Sequence, residues 1–378
     1  MIRSLKGLYH LLEAIVANIW FGFPGKSLTV IGVTGTDGKT TTTTLIYEIL
    51  KSAGIGVSMI TSIHAVIAGK SYDTGFHVTN PRSWWLQKYL RQAADHGDTH
   101  MVLEVTSHGL SQYRVWGIPF AVGVLTNVTH EHLDWHGTFE SYFSTKLTLL
   151  SQANIAVIGT EDFEKAKQKL EGKEVKLYDS ANYPFHTKLL GDFNKRNCLA
   201  AIAATKALGI SDEVIGKAVA NFRGVPGRLE TVATKPFEVI VDFAHTPNAI
   251  EQVLRTVRPL TKKRLFHVFG SAALRDVTKR PLMGSASARY ADIIVLTEED
   301  YRTEDVNTII EEIARGIPKD KEVYRIPDRA SAIEYALSTA KPGDLVILTG
   351  KGHEKSLARG KKEYPWSDQE AVKKFFET

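Results

Sequence analysis

The stretch Val30-Ile31-Gly32-Val33-Thr34-Gly35-Thr36-Asp37-Gly38-Lys39-Thr40-Thr41 sets glycines, a lysine and threonines where an apolar strand should turn into a helix. A glycine-rich turn lets successive backbone N–H groups close around phosphate oxygens, and the helix amino terminus adds favourable partial charge. Lys39 is then placed to reach terminal phosphates, and the Thr40 hydroxyl to ligate Mg²⁺. The strict phosphate-loop pattern carries a further glycine five residues before Gly38, where this chain has Val33. Such a loop indicates a nucleotide and says little about the reaction.

A second cluster follows. Glu104 ends the apolar run Met101-Val102-Leu103, and an open α/β sheet places ligand chemistry at the carboxyl ends of its strands. A later strand ends in Thr126-Asn127-Val128-Thr129-His130-Glu131-His132-Leu133-Asp134-Trp135-His136-Gly137. His130, His132 and His136 resemble zinc ligands in spacing. No cysteine joins them, and a hard Mg²⁺ beside a nucleotide's phosphates prefers oxygen donors, so zinc is set aside. In the other half, Asp242-Phe243-Ala244-His245-Thr246-Pro247 reads as a ligand-facing turn, with Pro247 suited to a first helical position.

These groups need a parallel α/β scaffold, and the pattern supplies one: β-branched runs alternate with helical segments from Leu28 onward. Strands are expected at 28–33, 101–105, 121–127 and 155–158, with helices at 40–53, 139–150 and 195–208. Gly and Pro cluster at Arg223-Gly224-Val225-Pro226-Gly227-Arg228, after which the alternation restarts. Five strands are expected there, at 239–243, 265–269, 293–297, 323–326 and 345–348, with helices starting near Pro247, Lys279, Val306 and Arg329. The fold class is therefore α/β with two domains: a central P-loop ATPase-type, mostly parallel sheet and a carboxyl-terminal Rossmann-like doubly wound domain. A short helix precedes them. The expected boundaries are 1–26, 27–228 and 229–378.

The chain has 378 residues, 47 Lys and Arg against 42 Asp and Glu, and 43% hydrophobic residues, which excludes a disordered or collagen-like chain. A net charge of +5 without a basic block gives no reason to expect nucleic acid. The single cysteine, Cys198, permits no intrachain disulfide and fits a reducing cytoplasm. Leu8, Leu11, Leu12, Ile15, Val16 and Ile19 follow helical spacing after Arg3 and Lys6. Glu13 interrupts that run, so neither a signal peptide nor a spanning helix is expected. Residues 1–24 either pack on the rest of the protein, the favoured reading, or lie in a membrane interface.

The loop Gly35–Thr41 resembles that of the Mur ligases. Glu104-Val-Thr-Ser-His-Gly-Leu and Asn127-Val-Thr-His-Glu-His-Leu-Asp-Trp-His-Gly resemble motifs of the MurE-type branch, UDP-N-acetylmuramoyl-dipeptide:amino-acid ligases. The resemblance implies ATP-dependent amide formation through an acyl phosphate, in peptidoglycan precursor synthesis. It implies a second Mg²⁺ held by Glu104 and His132, with Lys146 as the lysine that the family carbamylates. On spacing alone Lys146 is an ordinary helix-face lysine. The resemblance further assigns Gly35 to Thr41, Asn194, Asn197, Arg228, Asp242 and His245 to ATP. Thr79, Thr106, Ser107, Gln112 and Arg114 match acceptor contacts, although Val78 and Asn80 depart from the usual Thr-Thr-Pro run.

Arg275, Asp300, Arg302, Gly350 and Glu354 match the positions that hold the incoming amino acid, implied to be meso-diaminopimelate or lysine. Glu299-Asp300-Tyr301-Arg302 stands in place of Asp-Asn-Pro-Arg, and an added anion at Asp300 is expected to favour a substrate ammonium over a carboxylate. Only 34 residues precede Gly35, so the family's uridine-gripping domain is expected to be missing. The alternatives are a related ligase with another acceptor, lipid-linked muramoyl peptide or folylpolyglutamate-like, and a non-ligating ATP-binding protein. A monomer with small-molecule substrates, cytoplasmic or peripheral at the inner face of the membrane, is expected.

Overall fold

The computed structural model describes residues 2–73, 80–129, 133–179, 185–274 and 276–377. Two compact units divide at Arg223, covering residues 1–223 and 224–378.

The first unit is built on strands β1 (Thr29–Thr34), β2 (Val57–Ile60), β3 (His64–Ile67), β4 (Lys70–Asp73), β5 (His100–Glu104), β6 (Phe120–Leu125), β7 (Ile155–Gly159) and β8 (Glu174–Tyr178). They lie in the order β4-β3-β2-β5-β1-β6-β7-β8. From β2 to β8 every pairing is parallel, while β3 and β4 fold back antiparallel at one edge. Strands β1, β5 and β6 are almost wholly buried, as expected of a sheet covered on both faces.

Its helices are α1 (Ile2–Phe21), α2 (Lys39–Ser52), α3 (Ser83–His96), α4 (Ser107–Ser111), α5 (Leu133–His136), α6 (Phe139–Gln152), α7 (Thr160–Ala166), α8 (Asp192–Ala207) and α9 (Asp212–Asn221). Leu86 and Leu90 of α3 and Leu147 and Leu150 of α6 join Val30, Met101 and Leu103 in one core cluster. Side chains alternate across a strand, so the opposite face is left to α2, which packs against α8 and α9.

The second unit orders its strands β13-β12-β11-β14-β10-β9: β9 (Glu230–Ala233), β10 (Glu238–Val241), β11 (Leu265–Phe269), β12 (Ile293–Leu296), β13 (Glu322–Arg325) and β14 (Leu345–Leu348). The helices α10 (Pro247–Val257), α11 (Lys279–Ala288), α12 (Val306–Ala314), α13 (Arg329–Thr339) and α14 (Asp368–Glu377) accompany them, with a hairpin β15 (Ser356–Arg359) and β16 (Lys362–Pro365). Five strands were expected here and the sheet has six. The addition, β9, is half-exposed and antiparallel, so it lacks the continuous apolar run that marks a central strand.

Other boundaries also differ. The helix expected at 195–208 begins at Asp192, and the strand expected at 121–127 ends at Leu125. Thr126 and Asn127 have left the ladder to hydrogen-bond the loop after β1. Among the described residues no helix is long and apolar enough to cross a membrane.

Candidate active site

In the first unit the candidate residues gather at the carboxyl ends of neighbouring parallel strands. The loop Gly35–Gly38 follows β1, Ser62 follows β2, Glu104 closes β5 and Thr126–Thr129 follow β6. The segment after β6 pins the loop. Asn127 Oδ1 accepts from Asp37 N at 3.0 Å, and Thr126 Oγ1 donates to Asp37 O at 2.6 Å. Thr36 Oγ1 accepts from Thr129 N at 3.0 Å and lies 3.2 Å from the Tyr142 hydroxyl.

Gly38 is left-handed, with φ +79°, and a Cβ there would stand 2.0 Å from Asn197 Oδ1. Glycine is therefore required at this turn, and Asn197 of α8 is brought against the loop. Asn197 Nδ2 donates to Asn194 Oδ1, so the two asparagines form one chain beside Gly38. Lys39 folds back, donating from Nζ to Gly35 O at 3.1 Å and Thr36 O at 2.6 Å.

Thr40 and Glu104 are both buried, and Thr40 Oγ1 donates to Glu104 Oε2 at 3.0 Å. Ser62 holds the same carboxylate, with N 2.9 Å from Oε2 and Oγ 2.7 Å from Oε1. This donor set is all oxygen. It fits a hard divalent cation better than a soft one. Among the described residues no three His, Cys, Asp or Glu side chains are grouped to hold a metal.

In the second unit Asp242 follows β10, and its carboxylate accepts from Leu229 N and Ala244 N, both at 2.7 Å. Burial pushes its pKa up, with the Arg228 charge opposing. The Arg228 guanidinium lies 4.6 Å over the Phe243 ring, whose neighbours are His245 and His353. Glu299 and Asp300 follow β12, and Gly350 to Glu354 follow β14. Lys351 is wholly buried, its Nζ 2.9 Å from Asp300 Oδ1 and 2.5 Å from Glu354 Oε2.

Comparison with known proteins decides what this arrangement belongs to. Residues 33–179 match the Mur ligase middle domain, and residues 227–352 the Mur ligase, glutamate ligase domain. The chain is 38% identical over 384 residues to the UDP-N-acetylmuramoyl-L-alanyl-D-glutamate--2,6-diaminopimelate ligase of Aquifex aeolicus, covering 94% of this chain and 79% of that protein.

The chain belongs to the Mur ligase family.

A protein of the same name from Geobacillus thermodenitrificans is 38% identical, with 90% of this chain and 77% of that protein covered. These relatives make the chain a Mur ligase of the MurE type. Among solved structures, one named for the same diaminopimelate ligase aligns with TM-score 0.62 and 28% identity, over 93% of this chain and 78% of that one. A Mycobacterium tuberculosis folylpolyglutamate synthase aligns with TM-score 0.75 over 90% of this chain and 92% of that one, at 18% identity, a likeness of fold alone.

At two residues of this Mur ligase the structure adds partners that spacing alone did not show. Lys146, an ordinary helix-face lysine on spacing alone, is 1% exposed. Helix α6 turns it onto the phosphate loop, where Nζ donates to Gly35 O at 2.6 Å and lies 4.4 Å from the Tyr142 ring centroid. Asp300 is paired with Lys351, which it shares with Glu354. Arg302, left-handed at φ +46°, donates to Ala273 O and lies 3.8 Å from Asp300 Oδ2.

Thr79, His132 and Arg275 lie outside the described residues. Thr106 caps α4 by accepting from Gly109 N at 2.9 Å, and Ser107 is buried beside it. Gln112 accepts from Arg114 Nε, and Arg114 donates to Asn80 O. Asn80, named above only as a departure, is a buried hub: Nδ2 donates to Glu104 O at 2.6 Å, and Oδ1 accepts from Thr106 N and Oγ1 at 2.8 Å. Ser62, Lys351 and Glu299 were also missed. Their one signal was position: Ser62 lies just beyond β2 in the first unit, and Glu299 and Lys351 just beyond β12 and β14 in the second.

Proposed function

We propose that this chain is an ATP-dependent amide ligase that adds a diamino acid to the carboxylate of a UDP-N-acetylmuramoyl-dipeptide-like acceptor. The observation that carries this reading is the buried Thr40–Glu104 contact at the mouth of a phosphate loop. The acceptor carboxylate attacks the γ-phosphate of ATP, giving an acyl phosphate and ADP. The amine of the amino acid then attacks the acyl carbon, and phosphate leaves with one former carboxylate oxygen. Phosphoryl transfer depends on alignment and charge neutralisation more than on a protein nucleophile, and none is invoked.

The backbone of Gly35–Thr41 cradles phosphate oxygens, and Lys39 exchanges its loop carbonyls for the terminal phosphates. Asn194 and Asn197 hold the base, while Arg228, Asp242 and His245 of the second unit serve the nucleotide. Thr40, Glu104, His132 and Lys146, the last as a carbamate, would hold Mg²⁺, which when bound neutralises charge on the phosphates. Thr79, Thr106, Ser107, Gln112 and Arg114 hold the acceptor. Arg275, Asp300, Arg302, Gly350 and Glu354 hold the amino acid. Lys351 is shared by Asp300 and Glu354, and Arg302 adds a further cation beside Asp300, which supports a second substrate carboxylate and so meso-diaminopimelate over lysine. The ligase acts as a monomer in the cytoplasm, the compartment that supplies its ATP.

An amino-acid panel with ATP and UDP-N-acetylmuramoyl-L-alanyl-D-glutamate, followed by phosphate release and product mass, tests the proposal. One diamino acid should give a product heavier by its mass less water. Hydrolysis indifferent to every amino acid, or turnover only with a folate acceptor, would replace this reading.

A further inference from the structure

Helix α1 has an unusual outer face. Between residues 7 and 20 the exposed positions are 8, 9, 12, 16, 19 and 20, occupied by Leu8, Tyr9, Leu12, Val16, Ile19 and Trp20. Leu12 is 52% exposed, Ile19 64% and Trp20 72%. At about 100° per residue these side chains span an arc of roughly 120°. A helix on a soluble body normally turns charged groups to water, and here that arc carries none.

The other side of α1 is fixed to its own unit. Ala14, Ala17 and Asn18 are buried, and Asn18 Nδ2 donates to Trp116 O at 2.9 Å. Glu13 pairs with Arg82 at 3.1 Å and Trp84 of α3 packs on Phe21, while Trp20, at the edge of the outer arc, also meets Trp84. The helix therefore does not depend on its outer face for attachment. Packing against the protein and presenting an apolar stripe, two alternatives in the sequence, occur together on opposite sides.

Charge narrows what covers the stripe. Arg3 and Lys6 precede it in sequence and Lys26 follows it. The sole acid from residue 2 to residue 26, Glu13, is spent on Arg82. Trp20 lies at one edge of the arc, and Trp85 of the adjacent α3 is also exposed, with Lys88 Nζ 4.8 Å over its ring. An apolar arc that ends on a tryptophan and has cations before and after it in sequence matches the interfacial layer of an anionic bilayer, where aromatic rings sit at headgroup level and Lys or Arg meets phosphate.

We propose that the outer face of α1 docks this enzyme on the surface of a membrane containing anionic lipid, without crossing it. The inference is independent of which acceptor the site takes. The full chain should co-sediment with vesicles of phosphatidylglycerol and phosphatidylcholine, at least tenfold better than with phosphatidylcholine alone, and tryptophan emission should shift to the blue. The triple substitution Leu12→Gln, Val16→Gln, Ile19→Gln alters only exposed positions and should abolish sedimentation while amino-acid-dependent phosphate release is unchanged. Three outcomes would overturn the proposal: no binding by the unsubstituted chain, equal binding by the triple variant, or a concentration-dependent dimer that the substitutions disperse with no vesicle binding, which would make a second copy the occupant.

Discussion

The Thr40 hydroxyl donates to the Glu104 carboxylate at 3.0 Å across 64 residues of sequence. Parallel pairing of β1 with β5 sets Val33 beside Glu104, so the helix that begins after the β1 loop starts next to the end of β5. The strand register thus fixes two oxygen donors at the point where phosphate chemistry is proposed.

Lys39 now bonds two carbonyls of its own loop, and in the proposed reaction it must leave them for phosphate. Lys39→Ala should lower amino-acid-dependent ADP release on the order of 10²–10³-fold, the scale of removing one preorganised charge-stabilising donor. Coupled-enzyme detection of ADP reads this directly, and undiminished turnover would remove Lys39 from the reaction.

Gly38 combines a left-handed backbone with contact against Asn197. Gly38→Ala should cost about 1–2 kcal/mol for the conformation alone and displace the Asn197–Asn194 pair. Thermal unfolding with and without ATP measures both effects: a lower midpoint, and a smaller upward shift on adding nucleotide.

Asn80 joins the end of β5 to the Thr106 cap. Asn80→Ala leaves buried partners unsatisfied and should destabilise the first unit by about 1–3 kcal/mol. The KM for the acceptor should rise more than kcat falls, because Thr106 loses the Asn80 side chain that positions it. Denaturant titration and steady-state kinetics with varied acceptor test the two parts.

His267 is wholly buried between Ser287 Oγ at 2.8 Å and Thr349 Oγ1 at 2.9 Å. Burial, aided by the Arg329 charge, pushes its pKa down to about 3. The folded state therefore prefers the neutral ring, and its stabilisation is full above the ordinary pKa near 6.5 and lost as pH falls towards 3. From pH 7.5 to 5.0 this one group should cost on the order of 2 kcal/mol. Urea unfolding at both pH values should show a smaller pH difference in His267→Gln than in the parent chain.

The parallel strands β1, β5, β6 and β7 were legible in the sequence as apolar runs, and the loop Gly35–Thr41 by its fixed spacing, whereas the parallel strands β2 and β8 were not read. The starts of α10, α11, α12 and α13 at Pro247, Lys279, Val306 and Arg329 were read correctly from their flanking residues. Long-range partners were not legible. Nothing local to Lys351 announces Asp300, which is 51 residues away, and nothing near Asn80 announces Thr106. The burial of Lys146 depends on how α6 turns against the β1 loop, which no periodicity specifies. The strands β4 (Lys-Ser-Tyr-Asp) and β9 (Glu-Thr-Val-Ala) gave no apolar run to find.

The central claim is that an acceptor carboxylate is activated by phosphorylation. An acceptor labelled with ¹⁸O in that carboxylate, incubated with ATP, Mg²⁺ and the preferred diamino acid, tests it most directly. The account predicts one ¹⁸O in each released phosphate, read by mass spectrometry, in step with amide product. Unlabelled phosphate formed alongside that product would contradict it.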